Sequence, residues 1–229
     1  MWSAQAPTHT TLPIFWHRHA WRSRSGNLRS VHQAVQKAGA EANDRNIYVQ
    51  VSDSAQAVLG ADHIILPGQG AFLRSIDNLR ANPDLLDALC ESILHKKRPF
   101  LGICVGMQLL ADIGVEHDTS EGLGWLGGAC LFKQEAHDNG LNLPHMGWNK
   151  ITPTYQHALM QGLDAPYMYF ANSYHYVPKN TDDILATYDY GAACCAIVAR
   201  DNIAGVQFHP EKSHDHGLRL LQNFCTWHI

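Results

Sequence analysis

Three short apolar runs, residues 47–51 (IYVQV), 63–66 (HIIL) and 99–103 (PFLGI), are separated by stretches of helical periodicity. The helical pattern covers 28–38, closed by Gly39, and 85–97, with Pro83 and Asp84 at its start and lysines at its end. Strands that are apolar throughout need cover on both faces, so this alternation predicts one doubly wound, mostly parallel α/β sheet with helices on both sides. From residue 129 the pattern changes. Residues 167–170, 184–188 and 205–208 read as strands among turns, which predicts additional antiparallel strands before a last helix over about 217–227.

The chain has 229 residues, 45% hydrophobic and 17% charged, enough apolar material for a core and too much for a disordered chain. A net charge of −4 with histidine neutral gives no electrostatic case for nucleic acid. No apolar run approaches the ~18 residues that a membrane helix needs. Six cysteines without a C-x-x-C pair suit a reducing compartment, and the expected location is the cytoplasm. Fifteen histidines are mostly dispersed. His214 and His216 flank Asp215, but two imidazoles make a poor metal site. That segment reads as the solvated start of the last helix, and no metal is expected.

Residues 1–25 do not fit the pattern, and two segments are expected: 1–25, atypical, and 26–229, the folded domain. The first acidic residue is Glu41; before it Arg18, Arg22, Arg24 and Arg29 lie among Trp16, Trp21, His17 and His19. An arginine-rich, acid-poor start is a feature of transit peptides, but amphipathicity is poor and Pro7 and Pro13 interrupt it. If a first strand exists, it is residues 12–16, with Pro13 favouring an edge or strand start and a loop over 17–25. The alternative is a shifted frame or mistaken start in the gene.

The strongest chemical signal is Gly102-Ile103-Cys104-Val105-Gly106, between a predicted strand and a predicted helix over 107–113. This is the nucleophile-elbow spacing with cysteine at its centre. A sharp strand-to-helix turn crowds the positions two residues either side of the nucleophile, so both are glycine. The turn also aims the sulfur at the first N–H groups of the helix, which favour thiolate over thiol. A cysteine nucleophile needs a base, and the base needs an orienting group. The segment GVQFHPE (205–211) supplies His209 at the end of an apolar strand and Glu211 beyond a turn fixed by Pro210. Acyl transfer also needs donors for the oxyanion. Pro67-Gly68-Gln69-Gly70 follows a strand at the carboxyl edge of the predicted sheet, so the Gln69 and Gly70 backbone, with the Val105 N–H, are the candidates.

LPGQGAF, LGICVGMQLL, PHMGWN, YFANSY and GVQFHPEKS, in this order, resemble the class I (triad) glutamine amidotransferases. PHMGWN and GNLRS are closest to the branch that forms glutaminase subunits of imidazole glycerol phosphate synthases in histidine biosynthesis. The resemblance runs from about Gly26 to the C-terminus and implies a flavodoxin-like fold. It implies that Cys104 attacks the side-chain amide of glutamine, that His209 moves the protons and that Glu211 orients it. It places bound glutamine near Gly68, Gln108, Glu116 and the backbone of Ser173 and Tyr174. It implies a (β/α)₈ cyclase partner, faced by Asn27, Trp148, Tyr169 and Lys212, which uses the ammonia to make imidazole glycerol phosphate and AICAR. No cofactor is implied. Asn172 departs from the histidine that many relatives carry there, which is expected to alter glutamine positioning or interface polarity. Two other readings share these motifs: an amidotransferase subunit for anthranilate or nucleotide synthesis, against which PHMGWN argues, and a non-catalytic partner-binding subunit if the altered N-terminus blocks activation.

Overall fold

The computed structural model describes residues 9–15, 26–42 and 46–228. The main sheet has eight strands in the order β2-β1-β3-β4-β14-β13-β12-β9. They are β1 (His9–Phe15), β2 (Asn46–Ser52), β3 (Ile64–Gly68), β4 (Phe100–Cys104), β9 (Thr152–Pro153), β12 (Ile184–Asp189), β13 (Ala193–Arg200) and β14 (Ile203–Val206). From β2 to β14 every neighbouring pair is parallel, and from β14 to β9 every pair is antiparallel.

Strand order fixes where the helices go. The chain moves one way from β1 to β2 and the other way from β2 to β3 and from β3 to β4. Right-handed crossovers then put helix α1 (Gly26–Glu41) on one face, and α2 (Ala55–Leu59), α3 (Phe72–Arg80) and α4 (Pro83–Cys90) on the other. The packing agrees: α1 lies against the last long helix, α6 (His214–Cys225), and α2 against α4. Between the two layers the strands read as buried, with Ile64, Ile65, Phe100, Leu101 and Val206 at 1% exposure or less. The remaining strands form two smaller sheets. One is a ribbon of β8 (His145–Lys150) and β10 (Tyr167–Asn172). The other has the order β11-β7-β5-β6, built from β5 (Ile113–Glu116), β6 (Asp118–Glu121), β7 (Ala129–Phe132) and β11 (Tyr174–Val177).

Several boundaries differ from the sequence reading. Strand β1 spans His9–Phe15 and sits inside the sheet, with seven register pairs to β2 and one to β3. Pro13 stands opposite Gln50 and does not confine the strand to an edge, because a proline removes a single N–H and β3 meets β1 only at Ile14 and Ile65. Trp16 and the loop over 17–25 lie outside the described residues. Helix α1 runs past Gly39 to Glu41; a Cβ there would come within 3.0 Å of Ile47, so the glycine serves helix–strand packing rather than capping. The helix read over 85–97 begins at Pro83 with Asn82 as its cap and closes in a π turn, Glu91–His95. The last helix starts at His214, and Gly217 lies inside it against the Pro210 carbonyl. Strand β14 ends at Val206, before Phe208.

The expected helix 107–113 reduces to one turn, α5 (Val105–Gln108), and Ile113 opens β5. Residues 105–111 are all buried, so no polar stripe marks a helix face. The carbonyls of Leu109, Ala111 and Asp112 take their hydrogen bonds from the N–H groups of Leu123, Gly124 and Gly122. A returning loop thus replaces the missing turns.

Candidate active site

Strands β3, β4 and β14 are parallel neighbours, so their carboxyl ends emerge side by side. Cys104 ends β4 and pairs with Gly68 of β3; Val206 of β14 pairs with Ile103. His209 follows three residues after Val206. Residues about a hundred positions apart therefore meet because their strands are adjacent, at the edge where α/β sheets bind ligands.

Cys104 adopts φ 55° and ψ −111°, a strained backbone for a non-glycine residue. The glycines of the elbow make this turn possible. A Cβ on Gly102 would lie 2.4 Å from the Gly106 carbonyl oxygen, and one on Gly106 would lie 1.9 Å from that of Leu66. Strand β4, the nucleophile turn and β3 are pressed together with no room for a methyl group.

His209 is buried, hydrogen-bonds the Cys104 side chain, and places Nδ1 2.8 Å from Glu211 Oε1. The Glu211 side chain is fully buried. Burial pulls the pKa of His209 down from 6.5, but the bonds to Cys104 and Glu211 and their negative charge reverse this and push it to about 10. The imidazole is therefore protonated at neutral pH, paired with sulfur on one side and carboxylate on the other.

A cavity of about 340 Å³ opens over the sulfur. Gln69, Gly70 and Val105 line it with Cys104, and Gly70 has φ +90°, a conformation suited to glycine. Gln108, Glu116, Asn172, Ser173 and Tyr174 complete the lining. Glu116 Oε2 accepts a hydrogen bond from the Phe72 N–H at the start of α3, 2.7 Å away. Gln108 Nε2 donates to the Tyr174 carbonyl at 3.2 Å. Gly68 is not on the wall. It lies behind it, where a Cβ would meet Gly106 N at 2.7 Å.

The family model for class-I glutamine amidotransferases matches residues 23–227. This chain belongs to that family. It is 44% identical over 207 residues to the imidazole glycerol phosphate synthase subunit HisH of Rhodospirillum rubrum, covering 89% of this chain and 95% of that protein. The protein of the same name in Zymomonas mobilis is 45% identical over 204 residues, covering 89% of this chain and 92% of its own length. A crystal structure described as a glutamine amidotransferase superposes with a TM-score of 0.67 at 16% identity, over 94% of this chain and 99% of that one; the likeness is one of fold.

Of the other expected site residues of this amidotransferase, Lys212 lines the cavity and Trp148 and Tyr169 do not. Trp148 is 44% exposed, stacks flat on His214 with centroids 5.1 Å apart, and meets half-buried Tyr169 edge-on at 6.0 Å. Lys212 lines the cavity and also reaches over the Tyr169 ring at 5.7 Å. His216 engages the Tyr167 carbonyl. The side chain of Asn27, in the first turn of α1, lies outside the described residues. Asn172 is buried; its Nδ2 donates to the Tyr174 carbonyl at 2.8 Å and approaches Tyr188 Oη at 3.4 Å, which also accepts from buried Lys133 Nζ at 2.6 Å.

The sequence reading missed Lys133, which looks like an ordinary surface lysine in text, and Gln207. Gln207 Nε2 lies 3.9 Å from Cys104 Sγ. The signal for it was available: once β4 and β14 are paired in parallel, the residue after Val206 falls beside the residue after Ile103.

Proposed function

We propose that this chain is the glutamine-hydrolysing subunit of an imidazole glycerol phosphate synthase. The observation that carries this reading is the Cys104–His209–Glu211 line at the floor of a cavity walled by Gln108 and Glu116. The close relatives named above support the choice of pathway. L-Glutamine enters with its side-chain amide over the sulfur. Glu116 and Gln108 offer oxygen acceptors for the α-ammonium, and the backbone of Ser173 and Tyr174 bounds the α-carboxylate.

The Cys104 thiolate attacks the amide carbon, forming the C–S bond. The oxyanion turns towards the backbone of Gln69, Gly70 and Val105, each such donor contributing on the order of 10²–10³ in rate. His209 gives its proton to the departing nitrogen, the C–N bond breaks, and ammonia leaves. Water then loses a proton to His209 and attacks the thioester, and the C–S electron pair returns to sulfur as glutamate departs. Glu211 holds the imidazole in the orientation both steps need.

Ammonia passes to a (β/α)₈ cyclase, which makes imidazole glycerol phosphate and AICAR. The β8–β10 ribbon supports a docking role: its Met146, Trp148 and Tyr167 are exposed apolar anchors beside the cavity rim, with Lys212 next to them. No helix among the described residues is long and apolar enough to cross a membrane, and all six cysteines are free, which is consistent with work in the cytoplasm. In a mixture with the cyclase and its ligand, glutamine should drive product formation. Cys104→Ala should abolish that reaction and leave the ammonia-driven one intact. Equal glutamine-driven rates in wild type and Cys104→Ala would overturn the assignment.

A further inference from the structure

We propose that Gln207 is a catalytic residue of the same reaction: its side-chain amide, locked in one orientation by Gln108, donates to the Cys104 sulfur whenever that sulfur carries negative charge. The inference rests on the hydrolase reading above and adds a group to it.

The orientation follows from donors and acceptors. The Tyr174 carbonyl can only accept, so the Gln108 atom 3.2 Å from it is the nitrogen. The other N–H of the same Gln108 Nε2 points at the Gln207 side chain, also 3.2 Å away. The Gln207 atom facing it must then be the oxygen. That leaves Gln207 Nε2 turned to Cys104 Sγ, at 3.9 Å. The residue is wholly buried, and its own N–H is fixed to the Ala196 carbonyl at 2.9 Å, so neither backbone nor amide has another resting place.

A fixed donor beside sulfur favours the anion over the neutral forms. The sulfur is an anion before attack on glutamine. It becomes one again when the C–S pair returns to it during hydrolysis of the thioester. Gln207 therefore favours both the poised nucleophile and the leaving thiolate.

The test is the rate at which iodoacetamide alkylates Cys104, followed by peptide mapping, in the full chain and in two variants. Gln207→Met removes the donor at similar volume. Gln207→Glu keeps the shape and the acceptor for Gln108, but turns an oxygen towards sulfur. At pH 7 alkylation should fall about tenfold in Gln207→Met, the loss of roughly one hydrogen bond to a charged group, and further in Gln207→Glu. Glutamine turnover should lose kcat in both variants, with KM nearly unchanged in Gln207→Glu, which keeps the acceptor for Gln108. Wild-type alkylation at pH 7 in a folded Gln207→Met, or a Gln207→Glu no slower than Gln207→Met, would overturn the proposal. If Gln207→Met does not fold, wild-type alkylation in the isosteric Gln207→Glu overturns it and slow alkylation supports it. A wild-type chain that does not hydrolyse glutamine would instead refute the functional reading, and the alkylation order would still decide the role of Gln207.

Discussion

The carboxylate of Glu211 is completely buried and accepts from His209 Nδ1 at 2.8 Å, and against the pull of burial the Cys104 sulfur and this carboxylate together push the imidazole pKa up to about 10. The pair is set for a cationic acid rather than a neutral base at rest. The alkaline limb of glutamine hydrolysis should accordingly lie near pH 10. Glu211→Gln removes one of the two anions holding that proton and should bring the limb down by a pH unit or more, with a fall in kcat on the order of 10²-fold. A pH–rate profile with the limb unmoved in Glu211→Gln would contradict this. The stability sign is consistent: a raised histidine pKa adds stability that is complete below 6.5 and lost as pH rises through about 10.

Gly106→Ala should fail on packing grounds. Its new methyl would stand 1.9 Å from the Leu66 carbonyl oxygen, a backbone atom that cannot swing aside. We expect a loss of about 3 kcal/mol, seen as a lower urea midpoint, together with lost glutamine turnover, because moving this turn moves Cys104.

Acid should loosen the fold through three histidines. Burial lowers the pKa of His63, His145 and His175 to about 4 each, with the nearby charge of His228 or Lys133 adding to it. The unfolded chain takes up these protons near 6.5 and the folded chain only near 4. Stability is therefore lost as pH falls through that window, by roughly 3 kcal/mol per residue at most. Urea unfolding at pH 7 and pH 5 measures it. His145→Phe, which keeps the stack on Tyr190, should reduce the difference.

Lys133 is buried, and burial draws its pKa down to about 8, against the pull of Cys194 and Cys104. The unfolded lysine holds its proton to about 10.5, so the folded state is penalised below pH 8 and relieved as pH climbs from there to 10.5. Lys133→Met should match or exceed wild-type thermal stability at pH 7, with its advantage shrinking towards pH 10. Glutamine KM should rise, because the bond to Tyr188 that steadies Asn172 is gone.

The triad was legible because its parts are short, rigid and local: two glycines around a cysteine, and a proline between a histidine and a glutamate. The parallel core was legible because its strands are apolar on both faces. What escaped the text depends on pieces from elsewhere. The helix after Cys104 is cut short by a loop some fifteen residues on, whose N–H groups take its carbonyls. Lys133 is buried with its Nζ over the rings of Tyr188 and Tyr190, more than fifty residues further along the chain. Pro13 is tolerated inside the sheet because β1 pairs with β3 at one rung, Ile14 with Ile65, and nothing in the sequence marks that rung.

The adjacency of β4 and β14 has an evolutionary corollary. Sulfur and imidazole are carried at and just beyond the ends of two paired strands, so the intervening hundred or so residues need only return the chain to the right register. The ribbon and the small sheet inserted there can be recast for a different recipient of ammonia while the cutting edge stays aligned.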